Sequence, residues 1–436
     1  MVSAHRPETR WATRIIPLIL GGCVGFTTYV VVKRVCVDFF ISEQHQPGTA
    51  IAFLVLHFIF LIFMLATYLR VFLVIQLDPG VTPLGPRATE QKAKAKGRSR
   101  RERDLEATNR YEARPDDNPD SPGLEEFYSK DVFVCETDGR PRWCSSCCNW
   151  KMDRAHHCSE IERCVKKMDH YCPWVGGIVA ETCTSRLPLD SPILPSIPVT
   201  KYQAITAFKF FVQFTSYTAI HCAIVIIAAV ICFQSKVRND EGIDGVIIGA
   251  LAVAALFGLF TFTMTATSMR YILVNLTTID YLKSKNVVHQ LAIRVPQGTR
   301  PSQSYNVVTY PLPKSTNTTN PTLQTITTES SSPRDQLATR TFAIVKTEMG
   351  ENPWNLGYYR NWKSVMGDSL IDWLLPIKGS PCSRYEDGES FYEMGPLYQE
   401  LRTRFCLPDL STGNGRVEMG ERERERTKHG MNGTRS

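Results

Sequence analysis

The chain has 436 residues, with 50 Lys and Arg against 43 Asp and Glu for a formal net charge of +7. Its 43% hydrophobic content is an ordinary average, but long apolar blocks alternate with strongly polar ones, which excludes a water-soluble globular chain and points to a membrane protein. The mild positive excess carries no nucleic-acid signal of its own.

Residues 1–14 form a short N-terminus containing Arg6, Arg10 and Arg14. Four apolar stretches then approach the ~20 residues needed to cross a ~30 Å hydrocarbon core. They are Ile15–Val32 and Ile51–Leu69 within residues 15–76, and Phe210–Phe233 and Val246–Met269 within residues 208–270. Lys33 and Arg34 are expected to close the first stretch early. No small-residue cleavage site follows it, so it reads as a retained span and not a signal peptide.

A polar linker, 77–142, carries the basic run Lys92, Lys94, Lys96, Arg98, Arg100, Arg101 and Arg103. The positive-inside rule places this run and the N-terminus in the cytosol, and an even number of spans places the C-terminus there too. Lys33, Arg34, Lys236 and Arg238 on the far side run mildly against that orientation. The basic run suits anionic headgroups or simple solvation.

A cysteine-rich segment occupies 143–181, and a Pro-rich stretch, 182–207, separates it from the third span. That stretch reads either as a surface loop or as a translated intron. In the tail, 271–436, residues from about Gln297 to Arg340 are rich in Ser, Thr and Pro and are expected to be disordered. An aromatic island follows at 351–376, with Trp354, Tyr358, Tyr359, Trp362 and Trp373, and is expected to dock on the membrane-proximal body. The expected fold is an all-α membrane protein of four transmembrane helices, with a zinc-binding cytosolic loop between the second and third.

The chemistry lies between Trp143 and Trp174. A cytosolic cysteine cluster sits in a reducing compartment, so metal binding or thiol catalysis replaces disulfides as the default. Cys144-x-x-Cys147 can present two sulfurs to one metal from a tight turn, and His157 and Cys164 complete four ligands for a tetrahedral zinc ion. Cys148 offers the same chemistry as Cys147, and spacing leaves that choice open. Next comes Asp169-His170-Tyr171-Cys172-Pro173. A cysteine attacks as thiolate, an imidazole can take its proton, and a carboxylate can orient that imidazole. Pro173 favours a turn that brings His170 and Cys172 to one side.

These residues resemble the DHHC protein S-acyltransferases, in particular a fungal branch carrying DHYC. The matching residues are Cys144-x-x-Cys147, Lys151, Arg154, His156-His157-Cys158, Cys164-Val165, Met168-Asp169-His170 and Cys172-Pro173-Trp174. Asp78-Pro79-Gly80 after the second span, Thr277-Thr278-Ile279-Asp280 after the fourth, and the Asn352–Trp362 island agree with outlying family motifs, with Asp280 standing where the family has Glu. The resemblance implies a protein S-palmitoyltransferase. Cys172 would be its nucleophile, His170 the general base and Asp169 the orienting group. The donor would be palmitoyl-CoA, and the acceptors would be proteins with cysteines near the lipid bilayer. An endomembrane or plasma-membrane location with both termini cytosolic is expected.

The resemblance also implies a second zinc site made by Cys158 and three further ligands. Those three positions hold Ile161, Tyr171 and Ile178, so one zinc ion is expected. Three other classes fit these residues less well. A non-catalytic zinc-binding adaptor would leave Cys172 dispensable. A RING-type ligase needs eight ligands. A transporter needs paired charges within the membrane, whereas the spans here offer His57 and His221.

Overall fold

The computed structural model describes residues 7–77, 79–85, 88–89, 123–180, 207–240, 242, 244–284, 288–310, 339–381 and 388–410. Four helices in it are long and apolar enough to cross a membrane: Thr13–Glu43, Pro47–Leu77, Ala207–Arg238 and Gly245–Leu273. At ~1.5 Å rise per residue each exceeds the ~30 Å of a hydrocarbon core. We label the helices α1 (Pro7–Tyr29), α2 (Pro47–Leu77), α3 (Ala207–Arg238), α4 (Gly245–Leu273), α5 (Thr278–Ser284), α6 (Tyr358–Met366), α7 (Leu370–Leu374) and α8 (Leu397–Arg404).

Lys33 and Arg34 do not close the first span. α1 continues as a π-helix through Val30–Glu43, and Lys33 Nζ meets Asp38 Oδ1 at 2.8 Å. Charge ends an apolar run, not a helix, and an ion pair one turn away makes the continuation tolerable. Buried Val30, Val31, Val35, Cys36, Phe39 and Phe40 recur at the four-to-five-residue spacing of i→i+5 hydrogen bonding, and form a core with α3 and α4 residues such as Val225, Ala229 and Ala250. Ile51, Ile62 and Leu69 on α2, and Leu256, Leu259 and Phe262 on α4, point outward, as lipid-facing residues do. The Asp244 carboxylate accepts from Val246 N and caps α4.

The chain is not all-α. Its strands are β1 (Val132–Val134), β2 (Trp143–Cys144), β3 (Asn149–Trp150), β4 (His156–Cys158), β5 (Arg163–Val165), β6 (Met168–Cys172), β7 (Gly177–Ala180), β8 (Gln290–Val295), β9 (Asn306–Tyr310) and β10 (Arg340–Lys346). β2–β3, β4–β5 and β6–β7 are antiparallel hairpins, while β1, β8, β10 and β9 form an antiparallel sheet in that order. β9 corrects the expectation of disorder within 297–340 for the part described, and β1 adds a strand at the end of the linker. These strands pair across large sequence separations, which no local pattern reveals. Residues 311–338 of the Ser/Thr-rich stretch, the basic run, Asp78 and residues 182–206 of the Pro-rich insertion lie outside the described residues.

The chain divides into two units. One comprises residues to Pro83 with Arg154–Lys283 and Asn355–Tyr385. It contains the four long helices, the hairpins β4–β5 and β6–β7, and α5 to α7. The other comprises Leu84–Asp153, Ser284–Trp354 and the chain from Glu386 onward, and contains the four-stranded sheet, β2–β3 and α8. The sheet core is aromatic: Phe133 lies 5.3 Å from the Phe342 ring and 6.1 Å from that of Tyr310.

Within the first unit, α6 and α7 lie against the ends of α3 and α4. Asn361, fully buried, donates to Leu273 O at 2.7 Å and to Asn355 Oδ1 at 2.7 Å. Gln213 donates to Trp373 O at 2.9 Å, and Lys209 to Lys378 O at 3.0 Å. Val365 and Met366 join the apolar core around β6 and β7.

Candidate active site

Strand alternation and one irregularity build the site. His170 and Cys172 are two residues apart on β6 and therefore share a face. Neighbouring Asp169 should point the other way. The β6–β7 register shifts between Met168 and His170, so Asp169 falls at a bulge, and bulges re-aim side chains. Its carboxylate turns back to meet His170 Nδ1 at 2.5 Å. The short 3-10 turn Pro173–Val175 follows Cys172, and Gly176 with φ 84° reverses the chain into β7. This turn lies on α2. A Cβ on Gly176 would come within 2.9 Å of Phe72, and Gln76 Nε2 donates to Gly176 O at 3.0 Å.

Asp169 is fixed from a second direction. Thr278 at the start of α5 donates its N–H to Asp169 Oδ1 at 2.7 Å and its hydroxyl to Oδ2 at 3.0 Å. The turn that carries Thr278 is itself clamped. Arg154 Nη2 donates to Asp280 Oδ2 at 2.7 Å and to Asn275 O at 2.9 Å, and Nη1 donates to Asn275 Oδ1 at 3.0 Å. Burial alone would raise the Asp280 carboxyl, but Arg154 holds it well below the usual carboxylate range. Arg154 thus supports Asp169 through residues 275–280, a link that sequence reading does not expose. The Arg154 side chain is 1% exposed. Arg154→Ala is therefore expected to strand a buried carboxylate and to cost ~3–5 kcal/mol of stability. Arg154→Met with Asp280→Leu is expected to cost less than Arg154→Ala alone, measured by thermal unfolding. Equal losses would contradict the clamp.

Burial works against a charged His170, but the hydrogen bond that the ring donates to Asp169 and the proximity of Cys172 outweigh it and hold the ring's pKa at about 10. The ring packs edge-on against Phe211 at 5.2 Å. Its Nε2 has no hydrogen bond of standard geometry among the described residues, and such bonds tighten when substrate arrives. A free histidine titrates near ~6.5. Protonated His170 therefore stabilises the folded state fully below pH ~6.5, and that contribution fades as pH rises through about 10. The Tm gap between wild type and Asp169→Asn should be widest near pH 6.5 and narrow toward pH 10. A gap that is constant over that range would contradict the coupling.

The sulfurs of Cys144, Cys147 and Cys164 and a ring nitrogen of His157 all lie within 4.8 Å of one another. A tetrahedral zinc ion with ~2.3 Å Zn–S bonds needs its sulfurs ~3.8 Å apart, so a small contraction would make the donor set fit. Cys148, with φ 46°, sends its sulfur to Ser145 O at 3.3 Å and lies outside that group. The second set behaves differently. Cys158, Ile161 and Ile178 are buried in one apolar cluster with Cys172, and Tyr171 packs against it. Tyr171 and Ile178 are direct cross-strand partners. Residues after the second span also reach this region: Thr82 N donates to Cys164 O at 2.8 Å, and Lys166 N to Gly80 O at 3.0 Å.

A cavity of about 390 Å³ opens among α1, α2, α3 and α4, lined mainly by apolar residues such as Leu20, Val24, Met64, Phe214 and Phe257. Its size falls in the ~300–1,000 Å³ range of small-molecule sites. Tyr68, at one wall, donates its hydroxyl to Trp174 O at 3.4 Å and so links the cavity to the turn after Cys172.

The chain is similar to known proteins along most of its length. The DHHC palmitoyltransferase family model matches residues 137–184. The palmitoyltransferase pfa5 of Aspergillus fumigatus is 38% identical, with 96% of each chain covered. Its counterpart in Emericella nidulans is 36% identical, over 95% of this chain and 90% of the other. The palmitoyltransferase PFA3 of Saccharomyces cerevisiae is 27% identical, over 66% and 68%. With a relative this similar along nearly its whole length and four helices able to cross a membrane, the chain belongs to the DHHC palmitoyltransferases and is a multi-pass membrane protein S-palmitoyltransferase.

Proposed function

We propose that Cys172 carries the acyl group. The Cys172 thiolate attacks the thioester carbonyl of palmitoyl-CoA, the carbon–sulfur bond to coenzyme A breaks, and the departing thiolate takes a proton from His170. In the second half His170 removes the proton of the incoming substrate cysteine, whose sulfur displaces Cys172. Each half exchanges one thioester for another, so positioning and proton placement supply most of the catalysis. Asp169 holds the ring and its charge. The observation that carries this reading is the Asp169–His170 pair at 2.5 Å, on the same strand as Cys172 and fixed by Thr278.

The chain would lie in the cavity between the helices, where each buried CH₂ contributes ~0.8 kcal/mol. Substrates are proteins whose cysteines lie near the membrane surface, reached from the cytosol in an endomembrane or plasma membrane. Incubation with alkyne-tagged palmitoyl-CoA tests the nucleophile. Hydroxylamine-labile label on wild type and none on Cys172→Ser is expected; equal labelling of both would remove Cys172 from the role. Asn317-Thr318-Thr319 matches a glycosylation acceptor that this orientation keeps bare, and a glycan found there would invert it.

One zinc ion, held by Cys144, Cys147, His157 and Cys164, would brace the cysteine-rich segment without entering the reaction. Support comes from the convergence of those four ligand atoms and from the apolar packing of Ile161, Tyr171 and Ile178 around Cys158. Elemental analysis of the purified protein is expected to find one zinc per chain, and two would overturn the assignment.

A further inference from the structure

A buried histidine sits in the wall of the mainly apolar cavity. His221 lines it, 3% exposed, and the ring of fully buried His57 lies 4.7 Å away. His57 Nε2 faces Thr28 Oγ1 at 3.3 Å. His57 Nδ1 and His221 Nε2 have no hydrogen-bond partner among the described residues. The neighbouring hydroxyls do not compete for them. Thr27 donates to Cys23 O and Val24 O, and Thr218 to Phe214 O, within their own helices. A buried ring nitrogen left unpaired is costly, and within a bilayer no bulk water relieves it. A saturated acyl chain cannot relieve it either.

The position along the cavity is also defined. Phe211 packs on His170, and from there to His221 α3 rises ~15 Å at ~1.5 Å per residue. His221 therefore faces the distal part of a chain attached at Cys172.

The geometry points to a subsite for acyl chains that carry a hydrogen-bonding oxygen, a hydroxyl or oxo group, in their distal half. This rests on the reading of the cavity as the acyl site. The thioester exchange at Cys172 is unchanged; the His221 ring, backed by His57, selects among donors. A matched oxygen gains a hydrogen bond in a dry site, whereas one at another position is buried unpaired.

The test is competition at the purified full-length enzyme between palmitoyl-CoA and a positional series of hydroxypalmitoyl-CoA thioesters, read by mass spectrometry of the Cys172 peptide. One position in the distal half should be preferred about fivefold over the unsubstituted chain, the effect of a hydrogen bond worth ~1 kcal/mol. The wild-type comparison needs no variant. His221→Leu should abolish the preference and His221→Gln should retain part of it. No preferred position would mean that the two rings satisfy each other, and would overturn the proposal. A preference unchanged in His221→Leu would do the same. Wild type that acylates Cys172 from palmitoyl-CoA while showing no preference loses only this inference, whereas wild type that never acylates Cys172 loses the acyl-transfer reading as well.

Discussion

Cys172→Ala is expected to lower palmitoyl transfer by on the order of 10⁴-fold or more, the scale seen when the nucleophile is taken from a base-assisted unit. The side chain is 7% exposed and contributes to the apolar cluster under the site, but it is small, so the variant should remain folded. Thermal unfolding close to wild type alongside lost transfer is therefore the signature. His170→Ala and Asp169→Asn should each be severe, and the three losses should not add, because the groups act as one unit. Transfer reduced by less than tenfold in Cys172→Ala would require a different nucleophile.

Cys147→Ser is expected to collapse the fold of the cysteine-rich segment, as loss of any one of its four metal ligands should. Structural zinc sites carry apparent binding free energies of ~10–16 kcal/mol in small peptides. That rivals the ~5–15 kcal/mol that holds a whole domain folded. The hairpin that carries Cys144 and leads through Cys147 is short: β2 and β3 are two residues each. The same collapse is expected for Cys144→Ser, His157→Ala and Cys164→Ser, and for wild type stripped with a strong chelator. It is read as rapid proteolysis or amide exchange across residues 143–180 with lost activity. Cys148→Ser and Cys158→Ala should keep the metal. The first loses a weak sulfur contact and the second a small buried side chain, about 1–2 kcal/mol at most. Metal lost from Cys148→Ser but kept by Cys147→Ser would reverse the ligand assignment.

Much of the site was legible in the sequence because its residues are close together. Asp169, His170 and Cys172 span four positions, and the four zinc-ligand candidates span Cys144 to Cys164. Apolar composition likewise located four spans. What remained hidden was long-range or geometric. The Asp169 bulge has no local signature, yet it decides that adjacent side chains can meet. Arg154 and Asp280 are 2.7 Å apart but far apart in sequence, and their motif positions do not reveal that they pair. β1, β8, β9 and β10 are short segments that find partners across the chain, so their surroundings read as linker and disorder. Lys33 and Arg34 misplaced the end of the first span because the ion pair to Asp38 and the π-helical register are visible only in three dimensions. His57 and His221 looked like separate intramembrane residues; the packing of α2 on α3 makes them a pair.

The central claim is that the acyl group passes through Cys172 on its way to substrate. A single-turnover chase tests it: enzyme preloaded with palmitate is freed of acyl-CoA and mixed with a cysteine-containing acceptor peptide. The predicted result is loss of palmitate from the Cys172 peptide at the rate at which acyl-peptide appears, in equal amount. Acyl-peptide that forms only when acyl-CoA is restored, with the label on Cys172 undiminished, would contradict it.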